Sequence, residues 1–410
     1  MLDLLIANVH TPQHKGPVDV AVADGKIAEV APRIEAASHR TIDGAGRLLI
    51  PPFVDAHFHL DSVLTRVPNS SGTLREGIDN WALYKQQKLT VEDVYRRASQ
   101  YCEHAFSMGI QAIRSHVDVC DPQLRGARAL TQLKRDLADR IDIQLVAFPQ
   151  DGYYSAPQVR EQLLSALDMG VDVVGAIPHN EPMYRQGSES LHELLLIAQE
   201  RDLLVDVHCD ESDDPNSRHV ETLAALTAQL GLQGRVTASH ITATAVMDPY
   251  YVSRKLIPML AAAGLHVICN PLINVHLGGH FTHPKHRAMA PLKDLLAAGV
   301  NVACAQDCNE DPWYPLGNAD MFEVARMGAH VGHMMGLEAL HTMFDTVTVN
   351  PARIMRLSGY GLTAGCRANM VLLRAAGVVE ALRTSATREL IIRDGAVRGG
   401  AAAPPTGNRL

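Results

Sequence analysis

Leu49-Ile50-Pro51-Pro52-Phe53-Val54-Asp55-Ala56-His57-Phe58-His59-Leu60-Asp61 is the stretch on which the reading of this chain turns. An apolar run ends in two histidines spaced i, i+2. In a β-strand such a pair projects from one face. Two imidazoles on one face at a strand's end are a ready pair of metal ligands. The pair also reads as ordinary packing or surface histidine. What stands at the ends of the other apolar runs decides between the two.

Those runs are regularly spaced. Strands are expected at 53–57, 110–117, 143–148, 173–177, 203–208, 236–240, 266–270 and 301–306, and helices at 91–108, 158–169, 189–201, 217–230, 251–264 and 291–298. Eight short strands alternating with helices predict an α/β fold, a (β/α)8 TIM-like barrel, over residues 51–360. In such barrels the chemistry lies at the C-terminal ends of the strands. The fifth strand ends in His208, the sixth in His240, and the eighth is followed by Asp307. With His57 and His59, four histidines and one aspartate fall on one face of the barrel, the inventory of a metal site. Glu211 follows His208 by three residues. It reads either as a carboxyl group able to move protons beside that site or as a solvated loop acid crowded by Asp210, Asp213 and Asp214.

The two chain ends read differently. Val18–Ala23 and Lys26–Val30 flank Asp24-Gly25, and strand-like Asn369–Leu373 and Glu389–Arg393 lead to Asp394-Gly395. Asp-Gly between apolar runs signals a hairpin. Residues 1–50 and 361–410 are therefore expected to build one small β-sandwich domain together, with a frayed tail at 401–407. The triplet His219-Val220-Glu221 is expected in a helix with Val220 facing the core.

Composition narrows the function. A hydrophobic content of 47% and a charged content of 20% describe an ordinary globular protein. A formal net charge of −8 argues against nucleic acid or an anionic membrane as partner and suits a small neutral substrate. The cysteines are seven, an odd number, with no Cys-x-x-Cys pair, which suits a reducing compartment. With no basic leader at the start and no run of about 18 apolar residues, a cytoplasmic location is expected. The sequence holds no Pro-Cys-x-x-Cys, His-Glu-x-x-His or Gly-x-x-x-x-Gly-Lys motif.

The histidine pair, His208, His240 and Asp307 together resemble the signature of the amidohydrolase superfamily. Its binuclear members carry a carboxylated lysine at the end of strand four. Here that strand runs Val173-Val174-Gly175-Ala176-Ile177-Pro178-His179-Asn180, and no lysine occurs between Lys134 and Lys255. The resemblance therefore implies one divalent metal, iron or zinc, held by His57, His59, His208 and Asp307, with His240 left for catalysis. Ser71-Gly72-Thr73-Leu74, Val146-Ala147-Phe148-Pro149-Gln150, Val207-His208-Cys209-Asp210-Glu211 and Asp311-Pro312-Trp313-Tyr314-Pro315 are similar to segments of the barrel-type bacterial cytosine deaminases. This implies a hydrolytic deaminase acting on a free pyrimidine base. Glu211, His240 and Asp307 would be its catalytic groups. Gln150 would read the pyrimidine edge, Leu74 would offer main-chain contacts and Trp313 a wall, with His179 and Glu181 as supports behind. A homo-oligomer is also implied.

One residue departs from that family. Its members carry His-Asp-Asp after strand eight, whereas this chain has Gln306-Asp307-Cys308. A thiol in place of a carboxylate leaves room and a less polar surface near ring carbon 5. 5-Methylcytosine is then expected as a substrate beside cytosine. Four alternatives stay open at this point: Cys308 is a neutral replacement, Cys308 is a nucleophile, the substrate is another amino heterocycle of isocytosine or triazine type, or the barrel binds without turnover.

Overall fold

The computed structural model describes residues 1–401. The chain opens with β1 (Leu2–His10), β2 (Val18–Ala23), β3 (Lys26–Ala31) and β4 (Ser38–Ile50). Asp24 and Gly25, between β2 and β3, have φ of 52° and 69°. Both lie in the left-handed region that a two-residue hairpin of native twist requires. Eight strands follow: β5 (Phe53–Phe58), β6 (Ile110–Asp118), β7 (Asp142–Phe148), β8 (Val173–Ala176), β9 (Leu204–Cys209), β10 (Val236–His240), β11 (His266–Cys269) and β12 (Asn301–Cys304). They form one parallel sheet in chain order. The Asp307 N–H donates to the His57 carbonyl at 2.9 Å and the His59 N–H to the Asp307 carbonyl at 3.1 Å. The chain just past the last strand is thus sewn to the end of the first, and the sheet curls into a barrel.

β13 (Met370–Leu373), β14 (Arg388–Arg393) and β15 (Ala396–Gly399) return to the first four strands. Together they make the sandwich expected of the two ends, built on a seven-stranded mixed sheet ordered β15-β14-β13-β4-β1-β2-β3. β4 joins the two cores by its two-residue period. Leu49 packs with Ile6, Met370 and Ile392 of this sheet, while Leu48 and Ile50 face the barrel's main cluster. The expectation placed on the tail lies, beyond Ala401, outside the described residues.

Observed strands match the expected ones within a residue or two, because barrel strands covered on both sides read as continuous apolar runs. Helices were less visible. α1 (Leu74–Gln87) and the helix Arg125–Asp136 were not anticipated, whereas α2 (Val91–Ser107) was. α2 buries Val94, Ala98, Tyr101, Cys102 and Ala105 on one stripe, behind a Thr90 cap that accepts from the Asp93 N–H. α1 buries Gly77, Trp81 and Lys85, a stripe with too little apolar content to show a period. His219–Gln229 is a helix with Val220 fully buried, as expected. Among the described residues no helix is long and apolar enough to cross a membrane.

Candidate active site

β5, β9, β10 and the turn after β12 deliver His57, His59, His208, His240 and Asp307 to one point at the strands' C-terminal ends, all of them buried. The local backbone is unusual there. His240 has φ 72°, Ile241 42°, Asp210 49° and Asp307 67°. Non-glycine residues rarely adopt such angles, and strain of this kind gathers at functional sites.

The ring nitrogens converge. His59 Nε2 and His208 Nε2 lie 3.1 Å apart. Asp307 Oδ1 is 3.4 Å from His59 Nε2 and 3.5 Å from His57 Nε2. His57 Nε2 and His208 Nδ1 are buried without a hydrogen-bond partner. Burial pushes the imidazoles of His59 and His208 far down, so both stay neutral. Burial also works against the Asp307 charge, but the flanking His57 and His240 outweigh it and keep the carboxyl below the usual range. His57, His208, His240 and Asp307 bring donor atoms within 4.8 Å of one another, a group of imidazoles and a carboxylate that fits a divalent cation, with His59 in place of His240 in the expected set.

His240 belongs to this group and also reaches a second carboxyl. Its Nδ1 lies 3.3 Å from Glu211 Oε1, 3.8 Å from Asp307 Oδ2 and 2.9 Å from Asn274 Nδ2. Burial lowers its pKa to about 3. Burial, with the Asp307 charge added, pushes the Glu211 carboxyl well above its ordinary range and favours its acid form. Two neighbouring groups are thus held in opposite roles, one an acid and one a neutral base.

The sequence reading missed a layer beneath these groups. His116, on β6, is fully buried, its ring 4.2 Å from that of His57 and 4.5 Å from that of His208; neither of its nitrogens has a hydrogen-bond partner, and Nε2 lies 3.7 Å from Asp206 Oδ1. With His57, His59 and His208 it forms a second, overlapping group of possible metal donors. Burial lowers its pKa to about 4. Asp206, Ser239 and Arg114 lie below it, all fully buried. The available signal was polar residues inside otherwise apolar strands, at Arg114-Ser115-His116 and at Asp206.

Above the cluster is a small cavity of about 80 Å³. Gln150, Leu74, Cys308 and Trp313 all line it, as do His179, Glu211, His240 and Asp307. Each wall has a visible support. Trp313 fits against α1 only because residue 77 is glycine; a Cβ there would sit 2.4 Å from its ring. Lys85 Nζ donates to Asp118 Oδ2 at 2.6 Å and Asp151 Oδ2 at 2.9 Å, tying α1 to the loop that carries Gln150. Glu181 acts elsewhere than at the cavity. Its oxygens accept from the Tyr153 and Tyr154 N–H groups at 2.7 and 2.9 Å and hold the same loop.

A parallel barrel whose strand ends gather histidines and an aspartate under a small cavity defines a barrel hydrolase. The chain belongs to the amidohydrolase family, whose model matches residues 40–398, and is a hydrolase acting on C–N bonds. It is similar along nearly its whole length to the 5-methylcytosine deaminase from Klebsiella pneumoniae in its crystal structure liganded with 5-fluorocytosine, with 40% identity, a TM-score of 0.94 and 99% of each chain covered. N-isopropylammelide isopropylaminohydrolase from Burkholderia multivorans is 27% identical with a TM-score of 0.86, covering 98% of this chain and 100% of that one. A pterin deaminase of Rhizobium rhizogenes is 28% identical over 387 residues, 92% of this chain and 87% of its own.

Proposed function

We propose that this protein is a metal-dependent hydrolytic deaminase of a free pyrimidine base, converting 5-methylcytosine to thymine and cytosine to uracil with release of ammonia. The observation that carries the reading is the meeting of imidazole and carboxylate donors, His240 among them, with the carboxyl of Glu211 beneath a cavity walled by Gln150, Cys308 and Trp313. The likeness to the 5-methylcytosine deaminase supports the choice of base.

His57, His59, His208 and Asp307 would hold the cation, iron or zinc. Bound there, it supplies hydroxide near neutral pH by acidifying water. His240 and the free oxygen of Asp307 take up and orient the proton that water gives up. Glu211 protonates the ring nitrogen beside the attacked carbon, the proton held at His240 and Asp307 passes to the exocyclic amine, and the C–N bond breaks to release ammonia. The Gln150 amide has one donor face and one acceptor face, the pattern a ring carbonyl with an adjacent N–H presents in reverse. Trp313 packs against the flat ring, and Leu74 borders it through the start of α1. Burial pushes the Cys308 thiol far up, so this wall is uncharged and receives a methyl group at carbon 5.

The test is ammonia release by the zinc- or iron-loaded protein, with kcat/KM for cytosine and 5-methylcytosine measured side by side. A higher value for 5-methylcytosine is expected. A clear preference for cytosine overturns the role of Cys308, and turnover of neither base overturns the substrate class.

A further inference from the structure

Three side chains beneath the metal donors form a one-way chain of hydrogen bonds. Arg114 Nη1 donates to Asp206 Oδ2 at 3.0 Å, and its other donors go to Gln144 Oε1 at 2.7 Å and the Ile354 carbonyl at 3.0 Å. Ser239 Oγ lies 2.6 Å from Asp206 Oδ1 and 3.1 Å from His57 Nδ1. His57 Nδ1 is itself 4.0 Å from Asp206, so the serine stands between them. His57, Arg114, Asp206 and Ser239 are all at 0% exposure, which leaves bulk water no part in the chain.

For a neutral His57, the form a metal ligand requires, donor counting then orients the chain. A carboxylate only accepts, and a hydroxyl has a single hydrogen. Asp206, held ionic by the neighbouring His116 and Arg114, takes that hydrogen from Ser239. The serine oxygen has lone pairs left for His57, so Nδ1 must carry the N–H. A neutral imidazole has one N–H, and Nε2 is therefore bare. That is the nitrogen facing Asp307 Oδ1 at 3.5 Å with no hydrogen-bond partner.

We propose that Ser239 and Asp206 are positioning residues that lock His57 in the Nδ1–H tautomer and so present its Nε2 lone pair to the cation. The inference rests on the metal-site reading above. Residues in this position typically change metal affinity by about 10- to 100-fold when removed. The alternative tautomer would aim an N–H at the cation and could not ligate.

Two measurements test it. In the metal-free wild-type protein labelled with 15N-histidine, long-range 1H–15N correlations report the tautomer of His57, its signal assigned by its loss in His57→Asn. The Nδ1–H form is expected, and an Nε2–H form overturns the lock. Zinc affinity by chelator competition is then compared for wild type, Ser239→Ala and Ser239→Thr, with folding checked by circular dichroism. Ser239→Ala is expected to bind about 10- to 100-fold more weakly, with Ser239→Thr near wild type. Wild-type affinity in a folded Ser239→Ala protein overturns the proposal. Should wild type itself bind neither zinc nor iron, the metal-site reading fails, while the tautomer spectrum still decides the lock; the same spectrum decides it if Ser239→Ala does not fold.

Discussion

Cys308 sits with 4% exposure beside Asp307 and on the cavity wall with Trp313, and the proposed preference for a 5-methyl group rests on its thiol. Cys308→Asp returns a charge to that wall and removes the surface for a methyl group. One buried methyl is worth about 1 kcal/mol, so 5-methylcytosine should lose several-fold to about tenfold in kcat/KM relative to cytosine. Unchanged selectivity would sink the pocket argument. Glu211 makes a second prediction. Its pKa is raised, so it is protonated and able to donate below that value and ionised above it. kcat/KM should therefore fall on the alkaline side as pH rises through the raised pKa. Glu211→Gln should lose about 10²- to 10⁴-fold with metal content intact, and a pH–rate profile with metal analysis checks both. At this scale His57, His59, His208, His240 and Asp307 were legible, because each stands at or just past a strand end where the chain turns polar, while Leu74, Gln150 and Trp313 were named only through the family resemblance. His116, Ser239 and Asp206 were not, because they lie within strands and act through burial and orientation, which spacing along the sequence does not encode.

At the scale of elements, α1 is the piece that completes the site. Thr73 caps it by accepting from the Glu76 N–H, and the Glu76 carboxylate accepts from Ser70 and Ser71 N–H at 2.7 Å, which fixes the chain just before Leu74. Its inner stripe is a glycine, a tryptophan and a lysine, and each has a task. Gly77→Ala puts a methyl group into the Trp313 ring, a rigid neighbour that must move. Overpacking of this kind costs about 1–3 kcal/mol. Kinetics should show a raised KM with metal content unchanged, and urea unfolding a lower midpoint. Lys85→Met leaves Asp118, 3% exposed, without its cation and frees the Gln150 loop. Breaking a buried pair costs about 3–5 kcal/mol, so this variant should unfold at much lower urea than Gly77→Ala; equal midpoints would mean that the lysine is not the tie. The contrast with the strands is physical. β8 is buried at all four positions and announces itself as an apolar run. α1 packs through a missing side chain and a salt bridge, neither of which leaves an apolar period.

Across the whole molecule, the barrel makes the site by bringing His57 within reach of Asp307, 250 residues further on, through the hydrogen bonds that close β5 onto the chain after β12. The eight-strand alternation and the pairing of the two ends were legible because both follow from local patterns repeated along the chain. The closure was legible only as a consequence of the barrel, since nothing at either end of it is a motif. The same geometry crowds four imidazoles, two carboxyl groups and His116 into a space from which water is largely excluded. Unpartnered nitrogens there, His57 Nε2, His208 Nδ1 and both of His116, lack the hydrogen bonds they would have in water, and each such buried group costs on the order of 1–3 kcal/mol. A cation that binds the folded site and not the unfolded chain should therefore stabilise the whole barrel, by about 2.7 kcal/mol when free metal is 100 times its dissociation constant. Thermal unfolding after exhaustive chelation should show a lower midpoint that zinc or iron restores in a concentration-dependent way. His208→Asn should be insensitive to the added metal. A midpoint that ignores metal in the wild type would mean that the donors are held together by packing alone, and the reading of this face as a metal centre would fall.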